Sequence, residues 1–280
     1  MASGERSWVL VLAAVVLGWG VVAPLLNHAI LRWVGWRVAV PLVLGRVPDR
    51  RELGRWPAGC GECGRPLGPV GLPLLAWTAS AGRCRWCGAP RRPWTGAVEA
   101  VTGVGFGLAA ATWGWSWALP AVLLLVAGAV AMSAVDLWVM RIPTRFAWAT
   151  GAAVSAALLA AVALAGEVPV RSIGGAAIGA AGFGGLLGVL YLVSPRLLGF
   201  GDVRLGVVAG AVLGWVGWSA DDPVLAPLQL VFAALFVGSL VGTLWGAALL
   251  AVRRRNAPFP FGPALAFGAV AMALASGLAG

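Results

Sequence analysis

Apolar residues in this chain run on with few of the interruptions that mark a surface helix or an alternating strand. Continuous stretches of about 20 apolar residues, enough to cross a bilayer, fall near 8–31, 96–114, 116–137, 146–166, 172–194, 203–219, 225–251 and 262–279. The sixth is short and glycine-rich. Glycine and alanine are dense throughout, which suits close helix–helix approach in lipid. The first stretch is too long for a cleaved signal, and no small-residue cleavage site leads into a secreted domain. The pattern predicts an all-α polytopic membrane protein of about eight transmembrane helices. Its one sizeable polar interruption divides the chain into a first helix at 1–31, a small extramembrane domain at 32–95 and a membrane domain at 96–280.

Composition agrees: of 280 residues 60% are hydrophobic and 11% charged, with 41 glycines, against about 25% charged in an average soluble domain. The net charge of +10 comes entirely from arginine among the basic residues. Such a balance would suggest nucleic-acid binding in a soluble protein, but here the position of the charge along the chain decides. If 32–95 is cytoplasmic, its eleven arginines lie inside with Arg141, Arg145, Arg196, Arg204 and Arg253 to Arg255. Only Arg6 and Arg171 then lie outside. The positive-inside rule therefore predicts both termini outside the cytoplasmic membrane, a lipid-bilayer setting and no nucleic-acid partner.

The 32–95 domain is rich in Arg, Gly and Pro and has few core residues, so it needs a staple to fold. Cys60-Gly-Glu-Cys63-Gly-Arg-Pro66 and Cys84-Arg-Trp-Cys87-Gly-Ala-Pro90 are two copies of one C-x-x-C-G-x-P unit. The two-residue gap lets both thiolates of a pair reach one ion, and the following Gly permits the tight turn behind them. Together Cys60, Cys63, Cys84 and Cys87 predict a closed, structural S4 site for Zn2+ rather than a catalytic one. The competing reading is two reduced or redox-active pairs without metal.

Three acids stand out by position: Glu99, Asp136 and Asp202. A carboxylate within a span costs about 2.5–3.5 kcal/mol on insertion scales and usually marks function. Asp136 ends the third span in Ala134-Val-Asp-Leu-Trp-Val-Met-Arg-Ile-Pro143, and Asp202 lies in Leu198-Gly-Phe-Gly-Asp-Val-Arg204, just before the sixth. Both fall at the cytoplasmic membrane boundary, and two acids at one depth can pair. The ionised member of such a pair activates a water while the protonated one polarises a peptide carbonyl. Gly199 and Gly201, on either side of Phe200, would let backbone approach a substrate strand closely. The competing reading makes each acid an interfacial anchor paired with Arg141 or Arg204.

Taken together, these residues resemble the type IV prepilin leader peptidase/N-methyltransferase family, membrane aspartic proteases of bacterial pilus and secretion systems. The resemblance covers nearly the whole chain in the family's order. Asn27 followed by Arg32 looks like the end of its G-S-F-L-N-x-x-x-x-R signature, although the G-S-F-L element reads Ala23-Pro24-Leu25-Leu26 here. The four-cysteine domain follows, with Leu72-Pro-Leu-Leu-Ala-Trp77 between its halves, and Glu99 stands where the family has a Glu. Asp136, with Pro143 seven residues on, resembles the first catalytic aspartate. Gly199-Phe-Gly-Asp202-Val-Arg-Leu resembles the G-x-G-D-[VI]-K-L box carrying the second, with Arg204 in place of Lys. Phe259-Pro-Phe-Gly-Pro263 is similar to the family's I-P-F-G-P entry to the last span.

The resemblance implies a peptidase domain at 96–280 that cuts the basic leader from prepilins and pseudopilins on the cytoplasmic side, ahead of their apolar helix. Asp136 and Asp202 would be its catalytic pair. It also implies methylation of the new N-terminus with S-adenosylmethionine, for which Glu99, Asn27 and Arg32 are either methyl-transfer or structural residues. Three rivals make different demands. A presenilin- or signal-peptide-peptidase-like protease would share G-x-G-D and P-A-L, but its first aspartate follows Tyr rather than Val135. A transporter would need mid-membrane acids and an internal repeat. A non-catalytic scaffold of a pilus or secretion system leaves the two acids unexplained. His28 reads as a buried hydrogen-bonding residue, most tryptophans as interfacial anchors, and Arg253 to Arg255 as a stop-transfer cluster.

Overall fold

The computed structural model describes residues 2–35, 63, 65, 83, 84, 86–89, 93–165, 171–195, 198–253 and 260–279. Most of the 32–95 domain, with Cys60 and the 72–77 stretch, lies outside the described residues, as do Phe259, Arg254 and Arg255. Every regular element among the described residues is helical: α1 (Ala2–Leu17), a π-helical turn (Gly18–Val22), α2 (Ala23–Gly35), α3 (Pro93–Trp113), α4 (Leu119–Val139), α5 (Thr144–Ala165), α6 (Arg171–Val193), α7 (Phe200–Val216), α8 (Leu225–Arg253) and α9 (Gly262–Ala279). A helical run thus stands at each of the eight stretches the apolar pattern marks. Five are long and apolar enough to cross a membrane, over Ser7–Asn27, Leu119–Trp138, Thr144–Leu164, Ser172–Val193 and Leu225–Ala251, while Gly262–Leu278 is shorter.

The chain divides into two compact units, Met1–Ala111 with Leu137–Val139, and Thr112–Asp136 with Met140–Gly280. In the first, the π turn precedes Pro24. Proline supplies no N–H to the helical ladder, and the backbone widens locally, with Ala23 N–H bonded to Gly18 O. The glycines of this unit allow close contact between α1 and α3. A side-chain carbon on Gly18 would lie 2.7 Å from Phe106 Cγ, and one on Gly107 would lie 2.7 Å from Val15 Cγ2.

In the second unit, α7 is enclosed by α5, α6, α8 and α9, and ten of its residues are buried. At 17 residues it spans about 25 Å, short of a hydrocarbon core of about 30 Å. The helix is therefore an inner strut rather than a lipid-facing rod. Its most extensive partner is α6. Gly175 and Gly179 face Gly210 and Gly214 there, so that each helix's backbone carbonyls occupy the space a side chain would need on the other. This is small-residue packing of the GxxxG kind, with glycine on both sides. The α8–α9 crossing repeats it, with Gly238 against Ala264 O and Gly268 against Ala234 O.

The outer helices show lipid-suited faces. Phe232, Phe236, Leu240 and Leu244 form an exposed stripe along α8 at helical spacing. By contrast, 72% of the Leu119–Trp138 span is buried, against 22% of the Thr144–Leu164 span. The helices carrying the two conspicuous aspartates, α4 and α7, are thus the well-buried ones.

The glycine crossing yields a contrast. Gly210→Ala forces its methyl onto the Gly179 carbonyl and is expected to destabilise the fold by about 1–3 kcal/mol. Gly174→Ala, where an added carbon meets nothing within 4 Å, should be neutral or slightly stabilising. Melting curves of the detergent-solubilised full chain compare them.

Candidate functional site

Asp136 lies in the last turn of α4, and its carbonyl accepts the Met140 N–H at 2.8 Å. Met140 has φ 53 and ends the helix in the left-handed region, which a non-glycine residue seldom adopts. The chain thereby reverses within one residue and leads through buried Ile142 and Pro143 into α5. Asp202 enters from the start of α7. Its Oδ2 accepts the Gly199 N–H at 3.0 Å, while its own N–H donates to Gly199 O at 3.0 Å. This cap starts the helix at Phe200, so Asp202 lies inside the first turn instead of just ahead of a span beginning at 203. The apolar count missed that turn because it is closed by a polar side chain.

A third chain end completes the arrangement. α9 begins at Gly262, whose backbone N–H donates to the Asp136 carboxylate. Pro263 follows at the second position of the helix, where a missing N–H costs nothing. A side-chain carbon on Gly262 would lie 2.8 Å from Asp136 Oδ2, 3.2 Å from Asp202 Oδ1 and 3.1 Å from Ile142 Cδ1. The two facing carboxylate oxygens are therefore no more than about 6 Å apart. Both acids are buried, with 6% and 7% of their surface exposed. Ile142 fills the angle between the chain ends, since a carbon on Gly201 would lie 2.6 Å from Ile142 Cβ.

Arg204, the candidate anchor for Asp202, is committed elsewhere. Its Nη1 donates to Thr144 Oγ1 at 2.6 Å, and its guanidinium lies 4.5 Å from the centroid of Phe200, which in turn packs on Tyr191. The bond to Thr144 ties α7 to the start of α5, next to the loop that follows Asp136.

The cysteine module is described in part. The Sγ atoms of Cys63, Cys84 and Cys87 all lie within 4.8 Å of one another, and Cys63 Sγ is 3.8 Å from Cys84 Sγ. Sulfurs around a tetrahedral zinc at about 2.3 Å would be separated by about 3.8 Å. The turn after Cys84 has the shape such a ligand pair needs. Gly88 N–H bonds Cys84 O at 2.9 Å, Trp86 N–H points at Cys84 Sγ at 3.5 Å, and Gly88 adopts φ +70. Three thiols are thus placed to share one metal ion, and Arg65 covers the Trp86 ring beside them at 5.0 Å.

The chain is similar over most of its length to known proteins. Residues 26–113 match the model of the bacterial peptidase A24 N-terminal domain. The prepilin leader peptidase/N-methyltransferase of Aeromonas hydrophila is 34% identical over 219 residues, covering 74% of this chain and 67% of that protein. The chain belongs to the prepilin leader peptidase/N-methyltransferase family. The Bacillus subtilis protein of the same name is 29% identical over 234 residues, covering 82% of this chain and 84% of its own. The Escherichia coli type 4 prepilin-like proteins leader peptide-processing enzyme is 32% identical over 205 residues, covering 71% and 68%. No solved structure matches.

The remaining residues that the sequence singled out fall in the first unit. Glu99 is fully buried on α3, and its Oε2 accepts the Trp19 indole N–H at 3.3 Å. Asn27 is buried on α2, with 2% exposure. Arg32 belongs to the same helix, but its side chain, like that of His28, lies outside the described residues. Gly262 and Ile142 were missed as site residues by the sequence reading. The available signal for Gly262 was its place in the Phe-Pro-Phe-Gly-Pro stretch, and for Ile142 its place just before Pro143.

Replacing Glu99 tests its structural share. Glu99→Leu removes the acceptor of the half-buried Trp19 N–H and is expected to cost about 1–3 kcal/mol, whereas Glu99→Gln, which keeps a carbonyl acceptor, costs less. Thermal denaturation of the two purified variants ranks them.

Proposed function

We propose that this protein is a prepilin leader peptidase, an aspartic endopeptidase of the bacterial cytoplasmic membrane that removes the leader of type IV prepilins and pseudopilins. We infer that it also methylates the new N-terminus. The observation that carries the peptidase reading is the convergence of Asp136 and Asp202 on Gly262 from the ends of two buried helices. Family membership supports the same reading. A rival built on interfacial ion pairs draws no support from Arg204, which bonds Thr144 instead.

Asp136 and Asp202 are the catalytic pair in this reading. One ionised carboxylate takes a proton from a water positioned between the acids, and the oxygen of that water bonds to the scissile carbonyl carbon. The other, protonated, carboxyl donates to the carbonyl oxygen, so the tetrahedral intermediate forms without a free oxyanion. Return of a proton to the leaving nitrogen breaks the C–N bond and frees the mature N-terminus. The backbone N–H groups of Gly199 and Gly262 each hold one acid, which fixes the carboxylates without adding a counter-charge that would compete for the substrate. Gly199, Gly201 and Pro143 support the loop geometry on either side.

Eight spans with both termini outside, a cytoplasmic zinc domain at 32–95 and a peptidase domain at 96–280 complete the proposal. The arrangement puts the basic segment and both acids on the face from which a basic leader and the apolar helix of its prepilin arrive. Cys63, Cys84 and Cys87, with Cys60 as the fourth ligand, would hold Zn2+ as a closed structural site that staples a domain poor in core residues. The relatives' N-methyltransferase name fits the expected methyl donor, S-adenosylmethionine, which would supply the methyl group for the new amine. Glu99, Asn27 and Arg32 are methyl-transfer or structural residues in this proposal.

Two measurements test it. Intact mass of a prepilin-type substrate incubated with the full-length enzyme should show loss of the leader. Asp136→Ala and Asp202→Ala should each lower that cleavage at least about 10³-fold while expression and membrane insertion persist. Cleavage that survives in either variant would refute the catalytic pair. Metal analysis should find about one zinc per chain, lost in Cys84→Ser; a metal-free chain that still folds would refute the zinc site.

A further inference from the structure

The acid pair meets over a residue with no side chain, and two of that residue's features bear on the pair at once. The Gly262 N–H bonds Asp136. The missing Cβ would fall 2.8 Å from Asp136 Oδ2 and 3.2 Å from Asp202 Oδ1, closer than a carbon comfortably approaches either oxygen. It would stand where a water shared by the two carboxylates, or a carbonyl polarised by one of them, has to come. A side chain at 262 would push the carboxylates apart and displace that water.

We propose that Gly262 is a positioning residue of the reaction: its N–H orients Asp136, and its lack of a side chain keeps open the volume between the two acids in which the water and the scissile peptide react. The inference rests on the peptidase reading given above. It also separates two roles that a tightly packed glycine can confuse. A side-chain carbon added at Gly201 would meet Ile142 just as tightly, 2.6 Å from its Cβ, and that conflict is one of packing alone. A carbon added at Gly262 would meet Ile142 at the far end of its side chain, 3.1 Å from Cδ1, and Asp136 Oδ2 more closely, at 2.8 Å.

That difference sets the test. Full-length wild type, Gly262→Ala, Ile142→Val and the Gly262→Ala/Ile142→Val double variant are purified in detergent and assayed on a prepilin-type substrate, with melting curves run in parallel. Ile142→Val removes the Cδ1 methyl, so it relieves the packing conflict and leaves the conflict with the carboxylates. The expected result is a cooperative melt for Gly262→Ala, a kcat lowered about 100-fold with KM within about threefold of wild type, and no recovery in the double variant. Recovery in the double variant would make Gly262 a packing residue and overturn the inference. So would a Gly262→Ala enzyme with kcat within about threefold of wild type, a KM-only defect, or loss of the cooperative melt. If wild type itself leaves several pilin-type leaders uncut, the peptidase reading fails and this inference falls with it; a defect confined to Gly262→Ala leaves that reading standing.

Discussion

Two carboxylates buried within about 6 Å of each other impose the constraint to which the rest of the second unit answers. Removing such groups from water is costly unless hydrogen bonds replace the lost solvent, and two like charges at that distance repel. The chain meets both demands with backbone rather than with arginine. Gly199 and Gly262 each present an N–H at a helix start, where the N–H groups have no partner inside the helix. A nearby guanidinium would have neutralised the pair; Arg204 is held away from it by Thr144 and Phe200.

Holding three chain ends at one point requires the helices behind them to approach closely and stay in register. Lipid provides no hydrophobic force between helices, so close packing must supply the association. Glycine faces on α6 and α7, and again on α8 and α9, bring backbones near enough for carbonyls to fill the space of absent side chains. The α7 helix can therefore be short and buried, with Asp202 in its first turn. Ile142 fills the remaining angle, beside Gly201 at the start of α7 and Gly262 at the start of α9.

The cysteine module solves a different problem in the first unit. Three thiols lie within metal-sharing distance of one another, and one shared ion can supply cohesion that a segment rich in Arg, Gly and Pro lacks. The Cys-x-x-Cys-Gly spacing suits the turn seen at Cys84–Gly88, because Gly88 takes a positive φ that other residues avoid.

The sequence by itself determined the local features. Among the described residues each helical stretch lies at an apolar run, since length and hydrophobicity suffice to define a helix in lipid. Position singled out Asp136 and Asp202, and spacing singled out the cysteines. Helix starts were less legible: α7 begins three residues earlier than its apolar run because Asp202 caps it with its own carboxylate. Only the tertiary structure decided that the two acids meet, and that they do so against Gly262 with Ile142 beneath. Those residues belong to three separate chain ends whose meeting depends on which glycine faces pack together. No spacing along the chain encodes that contact, because it is fixed by helix crossings rather than by any one helix.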